Sequence, residues 1–147
     1  VDRLDGRLIQ LNWMARCGSP NRDEVNAHLI VEGWAKDKNV QGLQLEPVQA
    51  SLDPDLLKAA LDQLYDNAVR HGGGYEGIGL RVTGRRLHLE VRDQNKGWPD
   101  NIYDWLKDPQ LWNGQIALGL PLAQKVAQAH DGDLLLEPGS AALSIPL

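Results

Sequence analysis

Polar residues that could bind a metal ion or a phosphate group lie in a predicted helix over residues 53–71. Gln63, Asn67 and Arg70 are spaced four and three residues apart, which places them on one helical face beside the apolar stripe. A carboxamide oxygen is a hard ligand of the kind that suits Mg²⁺, and arginine binds phosphate. A solvated helix face would use the same residues, so this segment alone leaves both interpretations open.

A carboxylate and a turn follow at the end of a predicted strand. Asp93 closes the strand, and Asn95 and Gly97 come after it among residues that tolerate positive φ. An aspartate in this position can accept a hydrogen bond from an exocyclic amine, and the glycine lets a flat ring approach the backbone. A plain turn contains the same residue types.

Small residues lead into the start of a further predicted helix. Gly114, Leu118 and Gly119 lie in this stretch. It can present backbone N–H groups and the positive end of the helix dipole to a phosphate. A capped helix start without a ligand is the more common explanation of such a stretch.

The composition indicates a soluble globular domain and excludes several classes of protein. The chain has 147 residues and a formal net charge of −5, which argues against a nucleic-acid partner or an anionic-membrane binder. No apolar run approaches the roughly 20 residues of a transmembrane helix. Its one cysteine, Cys17, excludes a disulfide framework or a Cys-based zinc site within the chain. We therefore expect a cytoplasmic domain, and the missing initiator methionine predicts a fragment of a longer protein.

The elements that must position these residues follow from the periodicity of the apolar side chains. The pattern predicts helices over 23–36, 53–71 and 119–130, strands over 41–46, 77–83, 86–93, 133–137 and 142–145, and a loop with one short helical turn over 94–116. Tight turns between consecutive strands exclude an all-parallel sheet. The predicted fold class is α+β, a two-layer α/β sandwich with helices on one face of a mixed sheet.

A short helical segment precedes this domain. Leu4, Leu8 and Leu11 form a helical stripe without a predicted partner, so residues 1–18 are separated from a domain over 19–147.

Taken in this order, the three polar patches resemble the N, G1 and G2 boxes of the ATP-binding catalytic domain of sensor histidine kinases, which belong to the GHKL ATPases. The resemblance covers roughly residues 23–147 and implies a Bergerat-type sandwich. It is strongest in Asp53-Pro54-Asp55-Leu56-Leu57, Asn67-Ala68-Val69-Arg70-His71, Leu118-Gly119-Leu120 and Ala129-His130-Asp131-Gly132. Residues 1–18 resemble the tail of the dimerisation helix that precedes such domains.

The resemblance implies a role for each site residue. Asn67 would hold Mg²⁺ against the phosphates of ATP, with Gln63 and Arg70 completing the catalytic set. Asp93 would accept the adenine amino hydrogen, Gly97 would give the base room, and residues 98–113 would form a lid. The implied nucleotide-binding residues are Asn67, Arg70, His71, Asp93, Asn95, Gly97, Gly114, Leu118 and Gly119. The implied reaction transfers the γ-phosphoryl group of ATP to a histidine.

That histidine is expected upstream of Val1. None of the chain's histidines has the acidic-then-basic neighbours of the family's phosphoacceptor: His28, His71, His88 and His130. The implied partners are a phosphoacceptor helical domain, a second copy of the full-length protein and a cognate response regulator. The chain could equally be the cytoplasmic portion of a membrane-bound sensor.

Some positions depart from the family pattern. Gln63 stands where the family has Asn or Glu, and Asn95 replaces the first glycine of the G1 box, where we expect it to adopt the left-handed turn. The G2 box carries larger residues over 115–117 than the family pattern has. The chain contains no phenylalanine, so Trp105 or Trp112 would serve as the aromatic plug of the lid.

Two alternatives therefore stay open. One is a degenerate module of the same fold that acts as a regulatory or protein-interaction surface with weak or no ATP binding. The other is a serine kinase of the anti-sigma-factor type.

Overall fold

The computed structural model describes residues 12–107, apart from the side chain of Trp105, and residues 119–147. In chain order the elements are α1 (12–16), β1 (Asp23–Asn26), α2 (Ala27–Lys38), β2 (Leu43–Leu45), β3 (Gln49–Leu52), α3 (Pro54–Arg70), β4 (Tyr75–Thr83), β5 (Arg86–Asp93), α4 (Ile102–Lys107), α5 (Gly119–Ala129), β6 (Asp133–Glu137) and β7 (Ser140–Pro146). Most predicted elements are confirmed, among them the short helical turn in the loop.

A mixed five-stranded sheet forms one layer of the fold. Its strand order is β2-β4-β5-β7-β6, in which β2 pairs with β4 in parallel and the other pairs are antiparallel. Alternate residues along β5 are buried, and Leu89 lies between Leu80 of β4 and Leu143 of β7. This row of leucines packs beneath the helices, which form the second layer. The predicted α+β sandwich is confirmed.

Helices α3 and α5 lie side by side on the sheet. Their apolar faces are fully buried, with Leu61 and Leu64 on α3 and Leu122 and Val126 on α5. This contact matters for the site because it places the middle of α3 beside the first residues of α5.

The predicted start of the second helix is wrong. Residues 23–26 form β1, which pairs antiparallel with β3, a strand that the sequence did not predict. The helix begins only at Ala27, whose N–H donates to Val48 O at 2.9 Å. Hydrogen bonding to β3 satisfies the backbone of Asp23–Asn26 and leaves no need for a helical turn.

Part of the N-terminal segment is packed against the domain. Trp13 and Met14 contact the core, and Arg16 Nη2 lies 3.1 Å from Asp53 Oδ2. The predicted leucine stripe lies outside the described residues. Within the described ranges, no helix combines the length and the apolar character needed to cross a membrane.

Candidate functional site

Helix α3 carries most of the candidate site and is fixed at its start by Asp53. This N-cap carboxylate accepts hydrogen bonds from the N–H groups of Asp55 and Leu56, and Pro54 occupies the first turn. The backbone N–H of Asp53 donates to Nε2 of His130 at 2.9 Å. The start of α3 is thereby joined to the residue that follows α5.

His130 is fully buried, and both of its ring nitrogens are engaged. Nδ1 lies 2.7 Å from Val126 O and donates to it, because Nε2 accepts from Asp53. Burial lowers the pKa of His130 below its ordinary value, and Arg22 adds to this, although the hydrogen bond to Val126 and the charges of Asp53 and Asp131 oppose it. The ring is therefore neutral and structural.

Asn67 lies further along α3 and is 4% exposed. Its Oδ1 has no hydrogen-bond partner, and among the described residues it is the one buried side-chain nitrogen or oxygen in that condition. An unpartnered buried acceptor costs about 1–3 kcal/mol, so its retention needs an explanation. A ligand that binds a hard oxygen would supply one.

Gln63 packs against the first residue of α5. A Cβ atom added to Gly119 would lie 2.7 Å from Gln63 Cβ, an atom that a change of rotamer does not move, so only glycine allows the two helices to approach this closely. The structure therefore brings Gln63 of α3 into contact with Gly119 of α5. Gly114 and Leu118, the other predicted residues of this patch, lie outside the described residues.

Asp93 is buried at the end of β5, with 4% of its surface exposed. Its Oδ1 accepts hydrogen bonds from the backbone N–H of Asn95 at 3.1 Å and from the Asn95 carboxamide. Its Oδ2 lies against Gly72, where an added Cβ atom would come within 2.2 Å of that oxygen. Gly72 is thus required for the site.

The end of α3 is bonded directly to the strand that carries Asp93. The N–H groups of His71 and Gly72 both donate to Asn67 O, and Gly72 O accepts from the N–H of Gln94 at 2.9 Å. These bonds hold the helix turn of Asn67 beside the end of β5. The sequence analysis did not assign Gly72 to the site, because its role depends on the approach of a residue that is distant in the chain.

Gly97 rather than Asn95 supplies the positive φ in the turn. Gly97 has φ +149°, and its N–H donates to Asn95 Oδ1 at 3.0 Å. Asn95 does not have a positive φ, so the expectation that it adopts a left-handed turn is wrong. Its side chain stabilises the turn instead, through bonds to both Asp93 and Gly97.

Arg70 and His71 lie at the exposed end of α3. The Arg70 side chain is 70% exposed, and its Nε lies 2.8 Å from Asp66 Oδ1. Although Arg70 shares a helical face with Asn67, the guanidinium is directed to Asp66. An exposed i,i+4 pair contributes only about 0.3–0.5 kcal/mol, so Asp66 is a weak competitor for a phosphate ligand.

Two aromatic residues that the sequence reasoning did not assign fix the start of the predicted lid. Trp98 packs against the core, and its Nε1 donates to Glu137 O at 2.9 Å. Tyr103 Oη accepts from Leu136 N at 2.9 Å, and Leu106 is buried beside it on α4. Trp112 and the side chain of Trp105, the predicted plugs, lie outside the described residues.

Two cavities in the described part of the chain lie away from Asn67 and Asp93. One of about 410 Å³ lies on the outer face of the sheet between Glu46, Glu90 and Arg92. Another of about 320 Å³ lies between Tyr103, Gln128 and Leu135.

Comparison with known proteins identifies the class of domain. Residues 52–144 match the family of histidine kinase-, DNA gyrase B- and HSP90-like ATPases. The match covers more than half of the chain, so the chain belongs to this family. Within it, the chain is an ATP-binding domain of the histidine kinase type, and the resemblance to sensor histidine kinases predicted from the sequence is confirmed.

Individual relatives agree with this assignment. The chain is 24% identical over 123 residues to the signal transduction histidine-protein kinase AfsQ2 of Streptomyces coelicolor, covering 78% of the chain but only 22% of that kinase. The fold is similar to the Acinetobacter baumannii histidine kinase AdeS, with a TM-score of 0.75, 20% identity, and coverage of 99% of this chain and 79% of that one. It is also similar to the ATP-binding domain of PrrB from Mycobacterium tuberculosis, with a TM-score of 0.64, 23% identity, and coverage of 86% and 97%.

Proposed function

We propose that this chain binds Mg-ATP between α3 and the end of β5 and transfers the γ-phosphoryl group to a histidine on a helical domain N-terminal to residues 19–147. The observation that carries the proposal is the unpartnered buried Oδ1 of Asn67, a residue within the span that matches the ATPase family. The backbone of Asn67 bonds to Gly72, which packs against Asp93.

The residues present fit a magnesium ion. Mg²⁺ prefers oxygen ligands and takes few of them from the protein when substrate phosphates supply others. Asn67 Oδ1 is such an oxygen, and burial has removed it from competing water. Mg²⁺ bound there would neutralise charge on the phosphates. The protein's own part is to hold Asn67 rigidly through the helix that Asp53 and His130 anchor.

Recognition of the base falls to Asp93. A buried carboxylate accepts hydrogen bonds and donates none, so it favours adenine, which has an exocyclic amine, over a base that has a carbonyl there. Gly97 leaves open space where a Cβ atom would project, which suits the approach of a flat ring. Gln63, Arg70 and His71, with the N–H groups of the first turn of α5 at Gly119, remain the predicted phosphate-side residues.

The bonds of His130 exclude it as the acceptor, and one ring nitrogen of His28 is also engaged. His130 has no free ring nitrogen, and Nδ1 of His28 accepts from the N–H of Val48 at 3.2 Å. A phosphoacceptor needs an accessible nitrogen on an exposed helix. The proposal therefore includes an upstream helical domain, a homodimer of the full-length protein, a cognate response regulator as the onward phosphoryl acceptor, and a cytoplasmic location.

Calorimetric titration with a non-hydrolysable ATP analogue, with and without Mg²⁺, tests the proposal. We expect Mg²⁺-dependent binding at micromolar to sub-millimolar affinity. An absence of heat and of thermal shift at millimolar nucleotide would overturn it in favour of the degenerate regulatory module. The contact between Arg16 and Asp53 favours a helical segment joined to the domain, which is a feature of the histidine kinase and not of the serine-kinase alternative.

Asp93→Ala tests the adenine assignment separately. The substitution removes the acceptor for the exocyclic amine, so the preference for adenine over guanine nucleotides should disappear. Competition between ATP and GTP for a fluorescent analogue measures this preference. Retention of the parent's preference by the variant would show that Asp93 does not contact the base.

A further inference from the structure

The side chain of Asn95 is bonded to Asp93, the residue proposed above to accept the amine of the base. Its carboxamide Nδ2 donates to Asp93 Oδ1, and its Oδ1 accepts from the N–H of Gly97 at 3.0 Å. The second bond fixes the orientation of the amide, because only the oxygen can accept from Gly97. The NH₂ group of Asn95 is therefore directed at the carboxylate.

The Asn95 carboxamide could rotate away from Asp93, but the other described groups around this carboxylate could not. Gly72 packs against Oδ2, and Oδ1 also accepts from the backbone N–H of Asn95. Both belong to the main chain, which the bond between Gln94 N and Gly72 O holds in place. The carboxamide of Asn95 is the one neighbour described here that a side-chain rotation removes.

We propose that Asn95 is a specificity-determining residue that competes with adenine for Asp93. Its carboxamide is a planar NH₂ donor, as is the exocyclic amine of adenine, and both donate to the same carboxylate oxygen. An adenine nucleotide can bond to Asp93 only after the Asn95 side chain has rotated away. The affinity for the nucleotide is therefore lowered by the free energy of the lost hydrogen bond between Asn95 and Asp93. This inference depends on the proposed ATP binding and adds a constraint that the chain itself imposes on it.

The competition is selective for the base. Hypoxanthine presents a carbonyl where adenine has its amine, so it gains nothing from a vacant Asp93 oxygen. Removal of the Asn95 carboxamide should therefore tighten the binding of ADP and leave that of IDP unchanged. A hydrogen bond to a charged group corresponds to roughly a tenfold change in affinity.

Asn95→Ala is the test variant, because the backbone at this position does not need a positive φ and accepts alanine. Gln94→Ala is the matched control, since it removes an exposed carboxamide from the adjacent position. Calorimetric titration of the parent and both variants with ADP and IDP should show ADP binding about tenfold tighter in Asn95→Ala. IDP affinity should be unchanged, and Gln94→Ala should behave as the parent does.

The outcomes separate this inference from the function on which it depends. If the parent binds ADP and Asn95→Ala binds it equally or more weakly, or gains IDP affinity to the same extent, the competition is refuted and ATP binding stands. If neither protein binds ADP at millimolar concentration, both proposals fail. Binding of ADP by Asn95→Ala alone would support the competition and would overturn ATP binding by the parent chain.

A measurement on the parent chain covers the case in which the variant does not fold. The side-chain NH₂ resonances of Asn95, assigned by ¹⁵N NMR, should move on titration with ADP because the carboxamide leaves Asp93. They should not move with IDP. Equal movement with both nucleotides, or movement with neither while ADP binds, would refute the competition.

Discussion

The buried polar side chains at the two ends of helix α3 differ in whether their oxygens accept hydrogen bonds. At the first turn, the buried carboxylate of Asp53 accepts from the backbone N–H groups of Asn21, Asp55 and Leu56 and from Arg16. Toward the last turn, Asn67 Oδ1 is equally buried and accepts from nothing. The helix thus has a saturated end, defined by Asp53 with its partners, and an unsaturated end at Asn67.

One helix thus contains a buried polar group that stabilises the fold and another that is available to bind a ligand. A saturated buried group stabilises the fold and has nothing left to offer a ligand. An unsaturated group destabilises the fold by itself, so its bonding capacity is available to something that binds. We therefore expect substitutions at the saturated end to change stability, and substitutions at the unsaturated end to change binding.

Asp53→Ala should have the largest effect. It removes a helix cap and leaves several buried N–H groups without an acceptor, which should lower the free energy of unfolding by about 2–4 kcal/mol. Urea unfolding followed by circular dichroism measures this. Asp55→Ala is the control: Asp55 lies in the same turn, but its side chain is 61% exposed, and the loss should stay below about 1 kcal/mol. Equal losses in both variants would refute the contrast.

Asn67→Ala should weaken nucleotide binding strongly and change the stability of the fold very little. Mg²⁺-dependent nucleotide binding should fall at least about 100-fold, which corresponds to about 2.7 kcal/mol. The free energy of unfolding should change by less than about 1 kcal/mol, because lost packing is offset by removal of an unpartnered oxygen. Titration calorimetry and urea unfolding give the two values. Lys58→Ala, on the exposed side of the same helix, should change neither; a stability loss above 2 kcal/mol in Asn67→Ala would make Asn67 a structural residue.

His130→Gln tests the saturated end of α3 through the pH dependence of the free energy of unfolding. Burial lowers the pKa of His130 from its ordinary value of 6.5, so the unfolded chain binds a proton at pH values where the folded chain does not. Stability contributed by the neutral ring is fully present above pH 6.5 and falls as the pH drops below it. The parent should therefore lose stability between pH 7.5 and 5.5, and the variant should lose less.

Urea unfolding at these two pH values measures the difference. Burial also lowers the pKa of His88, helped by Arg81 and Arg86, so His88→Gln is introduced into both proteins. Identical pH dependence with and without His130 would contradict the assignment of a buried neutral imidazole.

Arg16→Ala should have the smallest effect. Its guanidinium lies 3.1 Å from Asp53 Oδ2, but the Arg16 side chain is 35% exposed, so solvent screens the pair. We expect a loss of about 0.5–1 kcal/mol, together with faster amide hydrogen exchange in residues 12–16. Lys36→Ala, an exposed cation on α2, is the control. Unchanged exchange in residues 12–16 would show that Arg16 does not hold this segment.

Local chemistry explains which elements could be predicted from the sequence. Asp53 followed by Pro54 marked the start of α3, because both the cap and the first-turn proline act within a few residues. Gly84 and Arg85 marked the turn between β4 and β5, and both have positive φ. The two small strands β1 and β3 were missed or mistaken because neither has a strand-like composition, and their pairing joins residues far apart in the chain.

The residues proposed to bind the ligand could be named from the sequence, but the residues that hold them in place could not. Asn67, Asp93 and Gly97 could be named because their residue types imply chemistry in a family pattern. The need for glycine at Gly72 depends on the approach of Asp93 Oδ2, and the two bonds of Asn95 depend on the path of the turn. Such contacts are fixed by tertiary packing, which no local pattern encodes.

Trp98 and Tyr103 also occupy part of a free edge of the sheet. Strand β6 ends the sheet, and an open strand edge offers N–H and C=O groups to any other extended chain. The indole and the phenol bond to Glu137 O and Leu136 N at that edge, so they block its addition to a second sheet. We therefore expect detachment of the segment that carries Trp98 and Tyr103 to expose an open strand edge, which is a template for edge-to-edge aggregation.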